Sequence, residues 1–143
     1  MRKNTPLVGI GVILVNENNE ILVGKRLGSF VPKYSIPGGA LELGETFEEA
    51  AIREIKEETN LTIKNPEVIA VTNNLETYKE TDIHTISIIV MAKQFTGELT
   101  VMEPEKCERW FWCDPKNLPE PHFDASKFAV TCYVEKKFYY EKK

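Results

Sequence analysis

Residues 38–61 read GGALELGETFEEAAIREIKEETNL, and the fold turns on how this stretch divides. Thr46 followed three residues later by Glu49 has the form of a capping box, which places the start of a helix near Phe47. The helix is expected to run to about Thr59, with Asn60 as the left-handed residue that ends it. Ala51, Ile52 and Ile55 supply an apolar stripe for packing on a sheet, beside the acidic face and not opposite it. Glu54, Glu57 and Glu58 sit at i, i+3 and i+4 and share one face of the helix. Like charges at that spacing repel by roughly a few tenths of a kcal/mol per pair, and no lysine stands on that face to relieve them. Two readings meet the pattern: a solvated acidic face, or ligands at the edge of the core facing a cleft that takes a cation.

Working outward, Leu7–Val15 (LVGIGVILV) is a continuous apolar run rich in β-branched residues and reads as a buried strand. Gly9 and Gly11 fall on one face of it and permit close backbone approach. Residues 16–20 (NENNE) form a turn, and Ile21–Lys25 is the returning strand of a hairpin. Lys25, Arg26, Gly28 and Ser29 open a loop that runs to Tyr34, and Ser35–Pro37 brings the chain to the glycine pair. Beyond the helix, Val68–Asn74 and His84–Lys93 read as strands joined by the polar stretch LETYKETDI. A Thr-Gly turn follows within residues 95–98, then a short strand over Leu99–Met102. Trp110–Cys113 (WFWC) is a strand that puts Trp110 and Trp112 on one side. Pro115, Pro119 and Pro121 mark a loop. A last helix capped by Asp124 or Ser126 runs to about Tyr140, amphipathic through Phe128, Cys132 and Tyr133, with lysines near its end that suit the helix dipole. Hairpin, loop, helix, several strands and a final helix suggest an α/β sandwich around a mixed sheet.

The 143 residues suit one domain, 1–143, with a core large enough to need no metal or disulfide staple. A net charge of −4 argues against a nucleic-acid polymer as partner, since phosphate backbones reward a basic surface. It leaves room for a nucleotide, whose few phosphates need only a metal and one or two basic side chains. Cys107, Cys113 and Cys132 are an odd set without a CxxC pair, and only two histidines accompany them. Neither a disulfide framework nor a structural zinc site follows; reduced thiols and a cytoplasmic setting are expected. MRKNTP carries no signal-peptide pattern, and no transmembrane run is present.

Chemistry gathers at the opening stretch. A glycine pair is a common turn, and it also lets a backbone carbonyl face a site with no Cβ in the way. A carbonyl at Gly38 with Glu54, Glu57 and Glu58 makes a set of hard oxygen donors suited to Mg²⁺, and two or three ions fit if a substrate supplies further oxygens. Arg53 is either a surface arginine or the partner of Glu45, in which case the pair pins the loop to the helix and so orients the carboxylates. Arg26, at the exit of the hairpin, is either solvated or meets a phosphate.

Gly39, Glu45 and the run Arg53-Glu54-Ile55-Lys56-Glu57-Glu58-Thr59-Asn60-Leu61 match the spacing G-x5-E-x7-R-E-U-x-E-E-x-G-U. The chain therefore resembles the Nudix family, with eight of nine specified positions kept over 23 residues. Asn60 departs, standing where the pattern has glycine, and asparagine is the next-best left-handed cap. The hairpin and the WFWC strand extend the likeness over most of the chain. The resemblance implies an α/β/α sandwich with a mixed central sheet, and Mg²⁺- or Mn²⁺-dependent cleavage of a diphosphate linked to another group. Carried over by position, Glu54, Glu57 and Glu58 look like the metal carboxylates, Gly38 like the carbonyl ligand, and Glu45 with Arg53 like the orienting pair. A further loop carboxylate is common in the family. Of Glu103, Glu105 and Glu108, Glu105 is the expected metal ligand or general base.

The start VGIGVILV, the GKR-x-GS segment, the PGGALE-x-GET opening and EPEKCERWFW are most similar to MutT-type nucleoside triphosphate diphosphatases. That likeness implies attack of water on a nucleotide phosphorus with release of a nucleoside monophosphate and pyrophosphate. It also implies a base held in the loop before the last helix, where Phe123 would stack, at roughly 1–3 kcal/mol, and Asp124 would read exocyclic N–H groups. A core plug beneath the helix is the other reading of Phe123. The alternatives are a nucleoside diphosphate-sugar hydrolase on the same metal site and a Nudix-fold nucleotide-binding domain without catalysis. A homodimer is compatible with the likeness.

Overall fold

The computed structural model describes residues 4–28 and 33–140. Ser29 of the expected loop and the basic start at residues 1–3 lie outside the described residues. Strand β1 (Leu7–Leu14) is the axis of a four-stranded mixed sheet. It pairs antiparallel with β4 (Gly38–Ala40) on one side and parallel with β7 (Thr85–Ala92) on the other, and β7 pairs antiparallel with β6 (Glu67–Asn73). Side chains alternate along β1, so Val12 and Leu14 enter one core while Ile13 and Val15 enter the other. Helix α1 (Phe47–Thr59) covers the first core with Ala50, Ala51 and Ile55. Helix α3 (Asp124–Glu135) covers the second with Ala129, Val130 and Cys132. The result is an α/β/α sandwich on a mixed sheet.

Helix α1 follows its sequence closely. The Thr46 hydroxyl accepts from the Glu49 N–H, the Glu49 carboxylate accepts from the Thr46 N–H, and Asn60 ends the helix at φ 68°. The apolar stripe is shifted by one position: Ala50 is buried and Ile52 is exposed. The turn at 16–20 does reverse the chain, with Val15 bridging Ile21. Strand β2 (Ile21–Arg26) nevertheless joins a second sheet, pairing with β3 (Tyr34–Ser35) and β9 (Cys107–Cys113). The expected hairpin thus hands the chain from one sheet to the other, and the ends of its two arms nearest the turn are buried on both faces.

Several local readings are corrected. The stretch after Asn74 forms α2 (Leu75–Thr81), which has no buried residue and hence no apolar period to betray it. Strand β5 (Thr62–Lys64) pairs with β8 (Gln94–Thr96) beside the Gly97 turn. No strand forms over Leu99–Met102. The Thr100 and Met102 N–H groups instead donate to the Thr59 and Glu58 carbonyls, which the end of α1 leaves without helical partners. Neither Asp124 nor Ser126 caps α3: Phe123 is its N-cap residue, without a side-chain cap bond. The helix stops at Glu135, where Lys136 turns left-handed at φ 57°, and the chain returns beside β6 through the Val71–Tyr139 bridge. Phe128 is half-buried and stacks on Tyr140 with 4.2 Å between ring centroids. Among the described residues no helix is long and apolar enough to cross a membrane.

Candidate active site

The loop from β4 to α1 is held by one guanidinium. Arg53 donates from Nε to Glu45 Oε2 at 2.6 Å and from Nη2 to Glu45 Oε1 at 3.0 Å, a bidentate fork. The same side chain donates to the Ala40 carbonyl at 2.9 Å, to Glu54 Oε1 at 2.8 Å and to Glu57 Oε1 at 3.3 Å. Glu45 Oε1 also accepts from the Glu42 N–H. Strand β4, the loop and α1 are thus joined through one side chain, and the bond to Arg53 holds the Glu45 carboxyl below the usual carboxylate range.

Glu54 is buried at the foot of α1 against β4, and a Cβ placed on Gly39 would run into its carboxylate. Gly38 is as constrained, because a Cβ there would meet the Ile10 carbonyl. The Gly38 N–H donates to Glu58 Oε1 at 3.3 Å. Burial pushes the Glu58 carboxyl up to about 8, Arg26 opposes that rise and Glu54 adds to it. The main chain of Glu58 is tied down as well, its carbonyl accepting from Trp110 Nε1 at 3.2 Å and from the Met102 N–H at 3.3 Å.

Glu54, Glu58 and the Gly38 peptide therefore lie together, while Glu57 is half-turned to Arg53. Among the described residues no three such groups enclose a cation by themselves. The donor chemistry still suits one. Two carboxyls from adjacent turns of α1, one kept from ionising by burial and by the other's charge, favour a divalent cation between them. All-oxygen donors select a hard ion, and Mg²⁺ ordinarily takes only one or two carboxylates and completes its shell with water and substrate phosphate. Glu105 sits on the exposed turn at residues 104–106.

On the other side of β4 lies a cavity of about 330 Å³. Gly38 and Gly39 line it as well as abutting the carboxylates, and Arg26 and Phe123 line it too. Asp124, expected beside Phe123, is in the first turn of α3 and not on the cavity wall. The loop that carries Phe123 is pinned: its N–H donates to the Tyr34 carbonyl, and the Tyr34 N–H donates to the Pro121 carbonyl. Asn74, Thr77, Thr85, Ser87 and Ser126 are cavity residues that sequence reasoning missed. For Thr85 and Ser87 the only signal is a hydroxyl interrupting the apolar run of β7, while Thr77 and Ser126 lie on α2 and α3 and Asn74 at the start of α2.

The family model described as the NUDIX domain matches residues 5–133. The chain is 34% identical over 122 residues to a Methanocaldococcus jannaschii protein named ADP-ribose pyrophosphatase, spanning 85% of this chain and 70% of that one. A Pelagibacter ubique protein named RNA pyrophosphohydrolase is 31% identical over 134 residues, 82% of each chain. An Escherichia coli protein named 8-oxo-dGTP diphosphatase is 34% identical over 93 residues, 64% of this chain and 68% of that one. Among solved structures, a MutT NUDIX hydrolase from Burkholderia pseudomallei superposes with a TM-score of 0.80 at 28% identity, over 90% of this chain and 98% of that one.

Proposed function

The chain belongs to the Nudix family, whose members it resembles as a hydrolase of phosphoanhydride bonds, and from that premise we propose that it is a Mg²⁺-dependent nucleoside triphosphate pyrophosphohydrolase, turning a (d)NTP and water into a (d)NMP and pyrophosphate. The observation that carries the reading is the shared position of Gly38 and Gly39, against the carboxylates and on the wall of a nucleotide-sized cavity. A nucleoside in that cavity would direct its phosphates across the glycine edge toward Glu54 and Glu58, where no Cβ intervenes.

Glu54, Glu58 and the Gly38 carbonyl would hold the divalent ion, with Glu57 available once it leaves Arg53; Mn²⁺ can serve in place of Mg²⁺. Such an ion, when bound, neutralises charge on the phosphoryl oxygens and lowers the pKa of water. Arg53, fixed by Glu45, orients the carboxylates. Arg26 lines the cavity and acts electrostatically on Glu58, so it would neutralise the phosphate nearest the nucleoside. Phe123 offers a face for the base. Changing Glu105, the exposed loop carboxylate, to glutamine is expected to lower the rate by about 100-fold, the low end for an acid–base group. Three unbridged thiols agree with a reducing, cytoplasmic setting. A single domain over 1–143 and a homodimer belong to the same reading.

The second reading is hydrolysis of a nucleoside diphosphate sugar, and the similarity to the protein named ADP-ribose pyrophosphatase favours it. A panel of dNTPs, NTPs, ADP-ribose and other nucleotide sugars, and a 5′-triphosphorylated oligonucleotide, assayed with Mg²⁺, separates the readings. Monophosphate and pyrophosphate formed from triphosphates are expected. Turnover of the sugars alone, or of the oligonucleotide alone, overturns the triphosphate assignment. A parent inactive on every member of the panel would point to a binding domain, and a Glu58→Gln variant as active as an active parent would remove Glu58 from the site.

A further inference from the structure

The cavity floor holds a polar network that the hydrolytic chemistry does not use. Ala40, Gly9, Ser87 and Thr72 are register partners across β4, β1, β7 and β6, so Ser87 and Thr72 project from the same sheet face beside Gly9. Gly38 and Gly11 lie in the next row on that face, roughly 7 Å along the strands at two residues of β rise. Gly9 keeps Ser87 uncovered: a Cβ there would stand 3.8 Å from Ser87 Oγ and 3.2 Å from Thr85 Cγ2.

Behind Ser87 lies Asn74, 2% exposed and the N-cap residue of α2. Asparagine at that position ordinarily caps the helix with its side chain, but here it makes no cap bond. Its amide is spent on the cavity instead. Nδ2 donates to Ser87 Oγ at 2.9 Å, and Oδ1 accepts from the fully buried Thr72 hydroxyl at 2.9 Å. The network has one direction. Thr72 donates to the amide oxygen, which turns the amide nitrogen to Ser87, and this occupies one lone pair of Ser87 and leaves its proton to be donated elsewhere. Ser87 and Asn74 both line the cavity. A local rule given up at a helix end marks a group held for function.

We propose that Ser87, oriented by Asn74 and Thr72, determines base specificity by donating its hydroxyl proton to an acceptor on the base, a ring carbonyl oxygen or an unprotonated ring nitrogen. The inference rests on the reading of the cavity as a nucleotide site. Ser87 touches the ligand; Asn74 and Thr72 are positioning residues. Without the Thr72 donor, Asn74 is free to flip and present its oxygen to Ser87, which then spends its proton inside the protein.

The test compares kcat/KM for the four dNTPs, the four NTPs and base-free ribose 5-triphosphate, for the parent, Ser87→Ala and Thr72→Val, with the thermal midpoint of each. The parent is expected to prefer one base. Ser87→Ala should lose roughly 5–10-fold on that base, the size of one hydrogen bond, through KM, flattening the ratios between bases and sparing the base-free substrate. Thr72→Val, at a fully buried residue off the cavity wall, should flatten the same ratios in the same direction. A parent indifferent to the base, ratios unchanged in Ser87→Ala, or a loss shared by the base-free substrate overturns the proposal. If the parent turns over nucleotide sugars and no triphosphate, the triphosphate reading fails by itself. The same ratios are then measured with the ADP-, GDP-, UDP- and CDP-sugars, where flattening supports the proposal and constancy overturns it.

Discussion

Arg53 shows how much one side chain can organise. Its fork to Glu45, its bond to the Ala40 carbonyl and its reach to Glu54 need a planar group with several donors, which lysine cannot supply. Arg53→Lys is therefore expected to cost about 10–100-fold in kcat/KM, the usual effect of losing a group that orients ligands. Glu45→Gln should cost nearly as much, and the double variant little more than either single one; full additivity in a kinetic cycle would dissolve the pair. Glu58 makes the opposite case. Its carboxyl is buried beside another and kept from ionising, so Glu58→Gln replaces one neutral buried group by another that has no ionised form for the fold to hold. Activity is expected to fall at least about 100-fold, since the proposed metal ligand is lost, while the thermal midpoint stays level or rises. A midpoint that drops with the activity would show Glu58 to be structural.

At the scale of elements, α1 carries both the core stripe and the carboxylates, so its two ends set the site. Thr46→Ala breaks a complete capping box and is expected to cost about 1 kcal/mol in denaturant unfolding. Asn60 holds φ 68°, a conformation that costs a Cβ-bearing residue roughly 1–2 kcal/mol. Asn60→Ala should therefore destabilise by about that amount, and Asn60→Gly by less, since glycine relieves the backbone but loses the bond to the Glu98 carbonyl. An alanine variant as stable as the glycine one would refute the conformational argument. Residues 97–102 add a feature of their own. By giving its N–H groups to the last carbonyls of α1, this segment ties Glu58 to the strand that carries Trp110.

For the molecule as a whole, the packing of the loop at 119–123 against α3 makes stability depend on pH. His122 is 4% exposed. Its Nδ1–H donates to the Pro119 carbonyl, and Nε2 accepts from the Ser126 hydroxyl, which itself accepts from the Ile36 N–H. This chain of bonds needs the neutral ring. Burial lowers the His122 pKa from 6.5, with Glu120 and Lys127 nearby acting in opposite senses. The unfolded chain then takes up the proton first. Stability should decline as pH falls through about 6.5 and level off, for this group, once the folded value is passed. Urea midpoints between pH 7.5 and 5 will show the decline, and His122→Gln should remove this component of it. An unchanged slope in the variant would place the proton uptake elsewhere.

Helix α1, its caps and the spacing of Gly39, Glu45, Arg53, Glu54, Glu57 and Glu58 were determined by the sequence alone, because each rests on a local backbone conformation or on contacts inside one short stretch, none spanning more than 20 residues. The strands β1, β6, β7 and β9 were legible for the same kind of reason, since a buried strand shows its apolar run wherever it pairs. What pairs with what was not. The partition of β1 and β2 between two sheets, the use of residues 99–102 against the end of α1, and the solvent-facing α2 depend on partners distant in the chain. So does the cavity. Asn74, Ser87 and Phe123 come to it from different parts of the chain, and the placing of Asp124 in α3, off the cavity wall, is equally a matter of packing. The half of the site proposed to hold the metal is a local spacing and can be read in a line of residues, whereas the half proposed to face the nucleoside exists only where sheet register and the two packed faces bring remote side chains together.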